Sequence, residues 1–296
     1  MRVEHTVRLN PEQVRAYAER GFIGPFDGLN SKEVAYFRDE LEAFEKREGR
    51  QLSSMPSQVR AKTHLLFPWM QDLIRLPVVL DTVESLIGPN ILVYHVTCWI
   101  KEPGDQAYVS WHQDGTYFFL EPAEHVTAWI ALSDSSAVSG CLQVLPGSHR
   151  YGALAHKKGE TEGNLLSNGQ YVDGIDWTQA ELLQVPSGQF TLHHTHLVHS
   201  SKPNRSTDRR IGIGVSYIPT RVRHTGPRRL TATLVRGEDG FGHFDPETKP
   251  TRGYDALARQ HHADANGRFF SGHGSKRTRS EGNSEDPDVD ARPTEQ

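Results

Sequence analysis

Sixteen histidines among 296 residues put imidazole chemistry first. Three of them open the tripeptide His-x-Asp: His112-Gln113-Asp114, His243-Phe244-Asp245 and His262-Ala263-Asp264. On a strand, residues two apart point to the same face, so such a tripeptide is a compact clamp for a cation. Two histidines and one carboxylate leave three positions on iron(II) open for a chelating co-substrate and O2. The third ligand must then come from a distant strand.

About one such tripeptide should arise by chance in a chain of this composition, so context has to decide. His243 sits in a Gly/Pro/Asp loop and His262 adjoins a polar tail, and both read as surface histidines. His112 follows a strand-like edge, Tyr108-Val109-Ser110-Trp111, with further strands downstream. Four histidines compete for the third ligand: His193, His194, His196 and His199. On a continuous strand His199 would face the way of Leu197 and Thr195, opposite to His194 and His196. A turn follows His199, and then Arg209-Arg210 opens a strand. A 2-oxoglutarate enzyme needs a fixed cation for the distal carboxylate, which arginine binds bidentately. On spacing alone, a histidine cluster beside a solvated arginine pair fits these residues equally well.

The elements that would carry these residues fall into two textures. Asn10-Pro11-Glu12 reads as an N-cap with proline at the first helical position, opening a helix to about Arg20. Asn30-Ser31-Lys32-Glu33 is a capping-box pattern ahead of Val34, Phe37, Leu41 and Phe44, a stripe that ends at Gly49. Trp69 to Ile87 reads as helical, interrupted by Pro77. Beyond Asn90 come short β-branched or aromatic runs at 91–100, 125–132, 141–145, 189–192 and 211–218, parted by Pro, Gly, Asn and Ser. Strands without alternating helices predict a mainly β antiparallel sandwich or barrel with flanking helices. From about Ser271 the chain is polar and aperiodic, which predicts disorder.

The totals exclude several classes. A net charge of −4 gives no basic field for nucleic acid. The longest apolar runs are too short to span a bilayer, and the charged N-terminus lacks a signal-peptide core. Cys98 and Cys141 read as buried thiols in a reducing cytoplasm. Nothing in the sequence sets the oligomeric state.

Taken in order, four segments resemble the phytanoyl-CoA dioxygenase family: Trp111-His112-Gln113-Asp114; Val126 to Leu132; Gly140 to His149; and His199-Ser-Ser-Lys-Pro-Asn204 with Arg209-Arg210. The likeness spans roughly residues 15–225. It implies a double-stranded β-helix (jelly-roll) core, iron(II), 2-oxoglutarate and O2. It implies one oxygenase domain over residues 1–270, with a helical part at 10–88, a core at 90–225, an extension at 226–270 and a tail at 271–296. Carried over, His112, Asp114 and His199 are the iron ligands, and Arg210 binds 2-oxoglutarate, with Arg209 as the alternative. Gly212 leaves room beside the co-substrate and Trp129 lines its pocket. Lys62 and Thr97 fall where other co-substrate contacts lie. The bland readings are core for Trp129, a solvated lysine for Lys62 and a structural threonine for Thr97.

Asp114 is intact, whereas halogenating relatives replace that carboxylate, so hydroxylation or another C–H oxidation is expected. Substrate contacts are expected from Tyr117 and Phe118 after the His-x-Asp motif, from His64, and from Arg221 with its neighbours Arg223 and His224. A small polar metabolite is preferred over an acyl-CoA. Two rivals stand beside this reading: a jelly-roll protein that binds metal or ligand without catalysis, and a zinc hydrolase on the same triad. Residues 230–270 read as either a lid over the barrel mouth or an outer layer.

Overall fold

The computed structural model describes residues 8–160, 162–166 and 169–272. Two antiparallel sheets face each other. The major sheet runs in the order Phe22–Asp27, Gln189–His194, Val126–Ala131, Arg210–Pro219, Ile91–Lys101, Thr231–Arg236, with a short parallel edge at Asp245–Pro246. The minor sheet is Val109–His112, His199–Ser201, Leu142–Val144 and Glu181–Leu183. Chain order hops between the sheets, which is the jelly-roll pattern of a mainly β fold.

Alternation along the major strands divides their side chains. Val126, Ala128 and Ile130, with Ile211, Ile213, Val215, Val96, Cys98 and Ile100, face outward into the largest apolar cluster. There they meet Phe37, Leu41 and Phe44 of the helix Ser31–Glu48, and residues of the helices Pro68–Leu73 and Pro77–Ile87. Each fully buried Val, Leu, Ile or Phe among them contributes about 1.5–3 kcal/mol. The complementary set, Thr127, Trp129, Arg210 and Gly212, therefore faces the space between the sheets. The anticipated N-cap at Asn10 and capping box at Asn30 are both present, Gln13 completing a second box at Asn10, and both helices end on left-handed glycines, Gly21 and Gly49.

Several boundaries differ from expectation. The N-terminal part contributes the edge strand Phe22–Asp27, whose Gly24-Pro25 disguised it. The extension after residue 225 adds Thr231–Arg236 beside Ile91–Lys101, so the sheet does not end where the sequence signal fades. The helix Ala256–Gly272 packs Phe269 against Tyr94, His95 and Phe118. It includes Ser271 and Gly272, which the sequence assigned to the tail; residues 273–296 lie outside the described residues. His262 is buried rather than superficial and bonds the carbonyl of Ala61. Among the described residues no helix is long and apolar enough to cross a membrane.

Candidate metal centre

His112 ends one strand of the minor sheet and His199 begins the next, and the two are direct cross-strand partners. Such pairs bring side chains together, and here the ring centroids lie 4.2 Å apart. Asp114 is not on the strand, as the spacing argument assumed. The strand stops at His112, and Asp114 has helical backbone angles at the foot of the short helix Gly115–Phe118. Its Oδ1 lies 3.5 Å from His112 Nε2 and 3.8 Å from His199 Nε2. One donor atom from each residue fits within a 4.8 Å span, the one group of this kind among the described residues.

The surroundings decide which atoms are offered to an ion. His112 Nδ1 is 2.9 Å from the carbonyl of Ser110, and His199 Nδ1 is 2.9 Å from that of Leu197. A carbonyl only accepts, so each Nδ1 carries the proton and each Nε2 turns a lone pair inward. Burial, reinforced by His112, pushes His199 down to about 3, which keeps it neutral. Burial alone would raise Asp114, but the adjoining His112, His193 and His199 outweigh it and hold the carboxyl well below the usual range. The other oxygen, Oδ2, accepts from Thr127 Oγ1 at 2.9 Å. Thr127 in turn meets His125 Nε2 at 3.0 Å, and His125 Nδ1 meets Thr195 Oγ1 at 2.8 Å. Because the Thr127 proton goes to Asp114, His125 donates from Nε2 and accepts at Nδ1. Two neutral imidazoles, an ionised carboxylate and this support fit a divalent transition metal.

Beside this triad runs a cavity lined by Trp99, Trp129, Leu142, Ser201 and Arg210. Arg210 is 1% exposed, and its Nε and Nη2 have no partner among the described residues. Burial lowers it to about 10, so it stays charged near neutrality. A buried guanidinium with spare donors costs several kcal/mol unless an anion joins it. Trp129 flanks it, with the guanidinium carbon 5.5 Å from the ring centroid. Gly212 makes room for that ring: a Cβ there would lie 2.0 Å from Trp129 Cζ2. The space expected beside the co-substrate is thus filled by tryptophan.

Other anticipated residues lie elsewhere. Arg209 points outward by strand alternation and forms ion pairs with Glu45 and Glu102, both at 2.8 Å, so it does not face the cavity. Lys62 is neither solvated nor at the co-substrate. With φ 49°, it directs Nζ to Glu247 at 2.6 Å, the Tyr94 carbonyl at 2.8 Å and the Thr231 carbonyl at 3.1 Å, which uses all three donors. His64 is fully buried on the same Glu247, at 2.7 Å, and is not among the cavity-lining residues. Phe118 is core, packed on Tyr94, His125 and Phe269. Arg221 pairs with Glu124, and Arg223 with Glu121, on the exposed side. Thr97 shares the inward strand face with Trp99, but it is not among the cavity-lining residues. Tyr117 does reach the ligands: its ring stands edge-on to His112 at 6.1 Å, with a buried hydroxyl that has no partner among the described residues.

The sequence reading gave no role to several cavity residues, among them Thr127 and Ser201. Ser201 is two residues beyond His199 on the same strand, so alternation could have found it; its Oγ receives Lys101 Nζ at 2.7 Å. His193 lines the cavity as well. A turn over 195–198 separates its strand from that of His199, so alternation cannot be carried between them.

Comparison with known proteins agrees with this geometry. The family model described as Phytanoyl-CoA dioxygenase (PhyH) matches residues 17–212. The chain belongs to the phytanoyl-CoA dioxygenase family. Membership places it among the iron(II)/2-oxoglutarate-dependent oxygenases, with iron(II), 2-oxoglutarate and O2 as the cofactor set. Within the phytanoyl-CoA dioxygenases and their relatives, it is 29% identical over 224 residues to a probable alpha-ketoglutarate-dependent hypophosphite dioxygenase of Stutzerimonas stutzeri, covering 70% of this chain and 77% of that one. It is 27% identical over 231 residues to the human peroxisomal phytanoyl-CoA dioxygenase, covering 71% and 68%. The solved structure of ThoJ, a non-heme monooxygenase, superposes with a TM-score of 0.76 at 28% identity, covering 88% and 97%.

Proposed function

We propose that this protein hydroxylates a C–H bond of a small polar metabolite, with succinate and CO2 as co-products. His112, Asp114 and His199 hold iron(II), and Arg210 pairs with the distal carboxylate of 2-oxoglutarate. Trp129 and Ser201 wall the co-substrate, and Tyr117 offers its hydroxyl to the substrate. The described residues act as one catalytic unit. The observation that carries this reading is the pairing of an intact Asp114 with a buried, under-bonded Arg210 in one cavity. A zinc hydrolase does not need such a cation, whereas a 2-oxoglutarate enzyme needs one for the distal carboxylate.

Iron(II) held here supplies O2 activation coupled to oxidative decarboxylation of 2-oxoglutarate. The chain's own part is positional. Thr127 and the carbonyls of Ser110 and Leu197 fix the ligand atoms, Arg210 fixes one end of the co-substrate, and the aromatic walls exclude water. Among structures of this fold, SnoK is described as a carbocyclase at 26% identity, so the product must be read directly.

Anaerobic protein with iron(II) and 2-oxoglutarate should develop a weak absorption band near roughly 500 nm. His112→Ala should abolish it, and Asp114→Ala should abolish hydroxylation. With O2 and a panel of small polar metabolites, the product should gain one oxygen atom while succinate forms. A folded, iron-loaded sample without the band would overturn the proposal.

A further inference from the structure

His193 is buried at 2% exposure and lines the cavity, and its Nδ1 has no hydrogen-bond partner among the described residues. Leaving a buried imidazole unsatisfied costs a few kcal/mol, and a phenylalanine would fill the same space without that cost. Its Nε2 lies 3.4 Å from Oδ2 of Asp114. That oxygen is turned away from His112 and His199, whose nitrogens approach Oδ1. The cross-strand partner of His193 is Thr127, which donates to the same Oδ2 at 2.9 Å. Two neighbouring inward side chains from adjacent strands thus converge on one carboxylate oxygen.

We propose that His193 is a positioning residue of the metal centre: its Nε2 N–H joins the Thr127 hydroxyl in holding Asp114 Oδ2 away from the ion, so that the carboxylate offers Oδ1 alone. This rests on the metal assignment made above. A carboxylate bound through both oxygens would fill a fourth coordination position and leave two for co-substrate and O2. Held through one oxygen, it leaves three. A fourth-ligand role fits less well. The donor atoms that group within 4.8 Å are those of His112, Asp114 and His199, and His193 approaches the oxygen on the far side of the carboxylate.

Cobalt(II) titration of the metal-free protein tests this without any substrate, by calorimetry and by the visible absorption of the bound ion. His193→Phe should weaken cobalt(II) binding about tenfold or more, the usual effect of removing a group that orients a ligand, and should change the absorption envelope. His193→Gln, which can return an N–H near the Nε2 position, should recover most of both. His112→Ala sets the scale for loss of a true ligand. Three results would overturn the proposal: a phenylalanine variant that binds as the parent does, one that loses as much as His112→Ala, or a glutamine variant no better than phenylalanine. Should His193→Phe unfold, His193→Leu takes its place in the same comparison. A parent protein that binds no cobalt(II) would instead remove the metal assignment itself.

Discussion

The guanidinium carbon of Arg210 lies 5.5 Å from the ring centroid of Trp129, and both side chains line the same cavity as the metal ligands. Arg209, one residue earlier, points the opposite way and is held by Glu45 and Glu102. The two adjacent arginines therefore do different things. Arg210→Gln should raise the dissociation constant of 2-oxoglutarate by about 30-fold or more, the effect of losing about 2 kcal/mol of a buried ion pair. Its ligand-free stability should hold or rise, because an unsatisfied buried charge is removed. Arg209→Gln should leave 2-oxoglutarate binding unchanged and cost about 1–3 kcal/mol of stability. Calorimetric titration and urea unfolding of both variants separate the roles. A reversed pattern would exchange the two assignments.

Gly212 is set by Trp129. A methyl at Gly212 would overlap the indole, with ring atoms at 2.0, 2.5 and 2.8 Å. Gly212→Ala should cost about 1–3 kcal/mol through overpacking and weaken 2-oxoglutarate binding by displacing the ring beside Arg210. Trp129→Phe in the same chain should restore part of the stability, since neighbouring sites do not add independently. Additive losses in urea unfolding would show that the two residues do not compete for this space.

Acid should destabilise the metal-free protein before its carboxylates protonate. Burial holds His125 at about 4 and His194 at about 3, against an ordinary value of 6.5. Below 6.5 the unfolded chain binds protons that the folded chain refuses, so stability is complete above that value and falls as pH drops toward 4. Each group contributes up to about 1.4 kcal/mol per pH unit across that window. Urea midpoints measured from pH 7 to pH 4.5 should fall steadily, and a flat profile would contradict the neutrality of these two histidines.

The sequence pattern carried much of the site because strand alternation is a local rule. It separates Arg210 from Arg209, and it would have found Ser201 from His199. Its failures lie where local rules stop. Lys62 has a left-handed backbone, and its carboxylate partner is 185 residues further on, so no spacing could link them. Phe118 and His64 were assigned outward-looking roles on sequence proximity to other candidates, while the fold gave both to buried clusters. His193 was one of four competing histidines, and the turn at 195–198 hid the fact that two of the four share the cavity. The strands Phe22–Asp27 and Thr231–Arg236 were missed because tertiary pairing rather than propensity makes them.

The contact between Lys62, His64 and Glu247 bears on how this chain can be shortened. The stretch that matches the family ends at residue 212, yet Glu247, which neutralises a fully buried ammonium, lies beyond it. A chain trimmed to the matched stretch would break the strand Arg210–Pro219 after its third residue, and the missing counter-charge to Lys62 by itself costs about 3–5 kcal/mol wherever that ammonium stays buried. That is a large share of the 5–15 kcal/mol that typically separates folded from unfolded. The limit of detectable kinship is therefore not a place where the polypeptide can be cut.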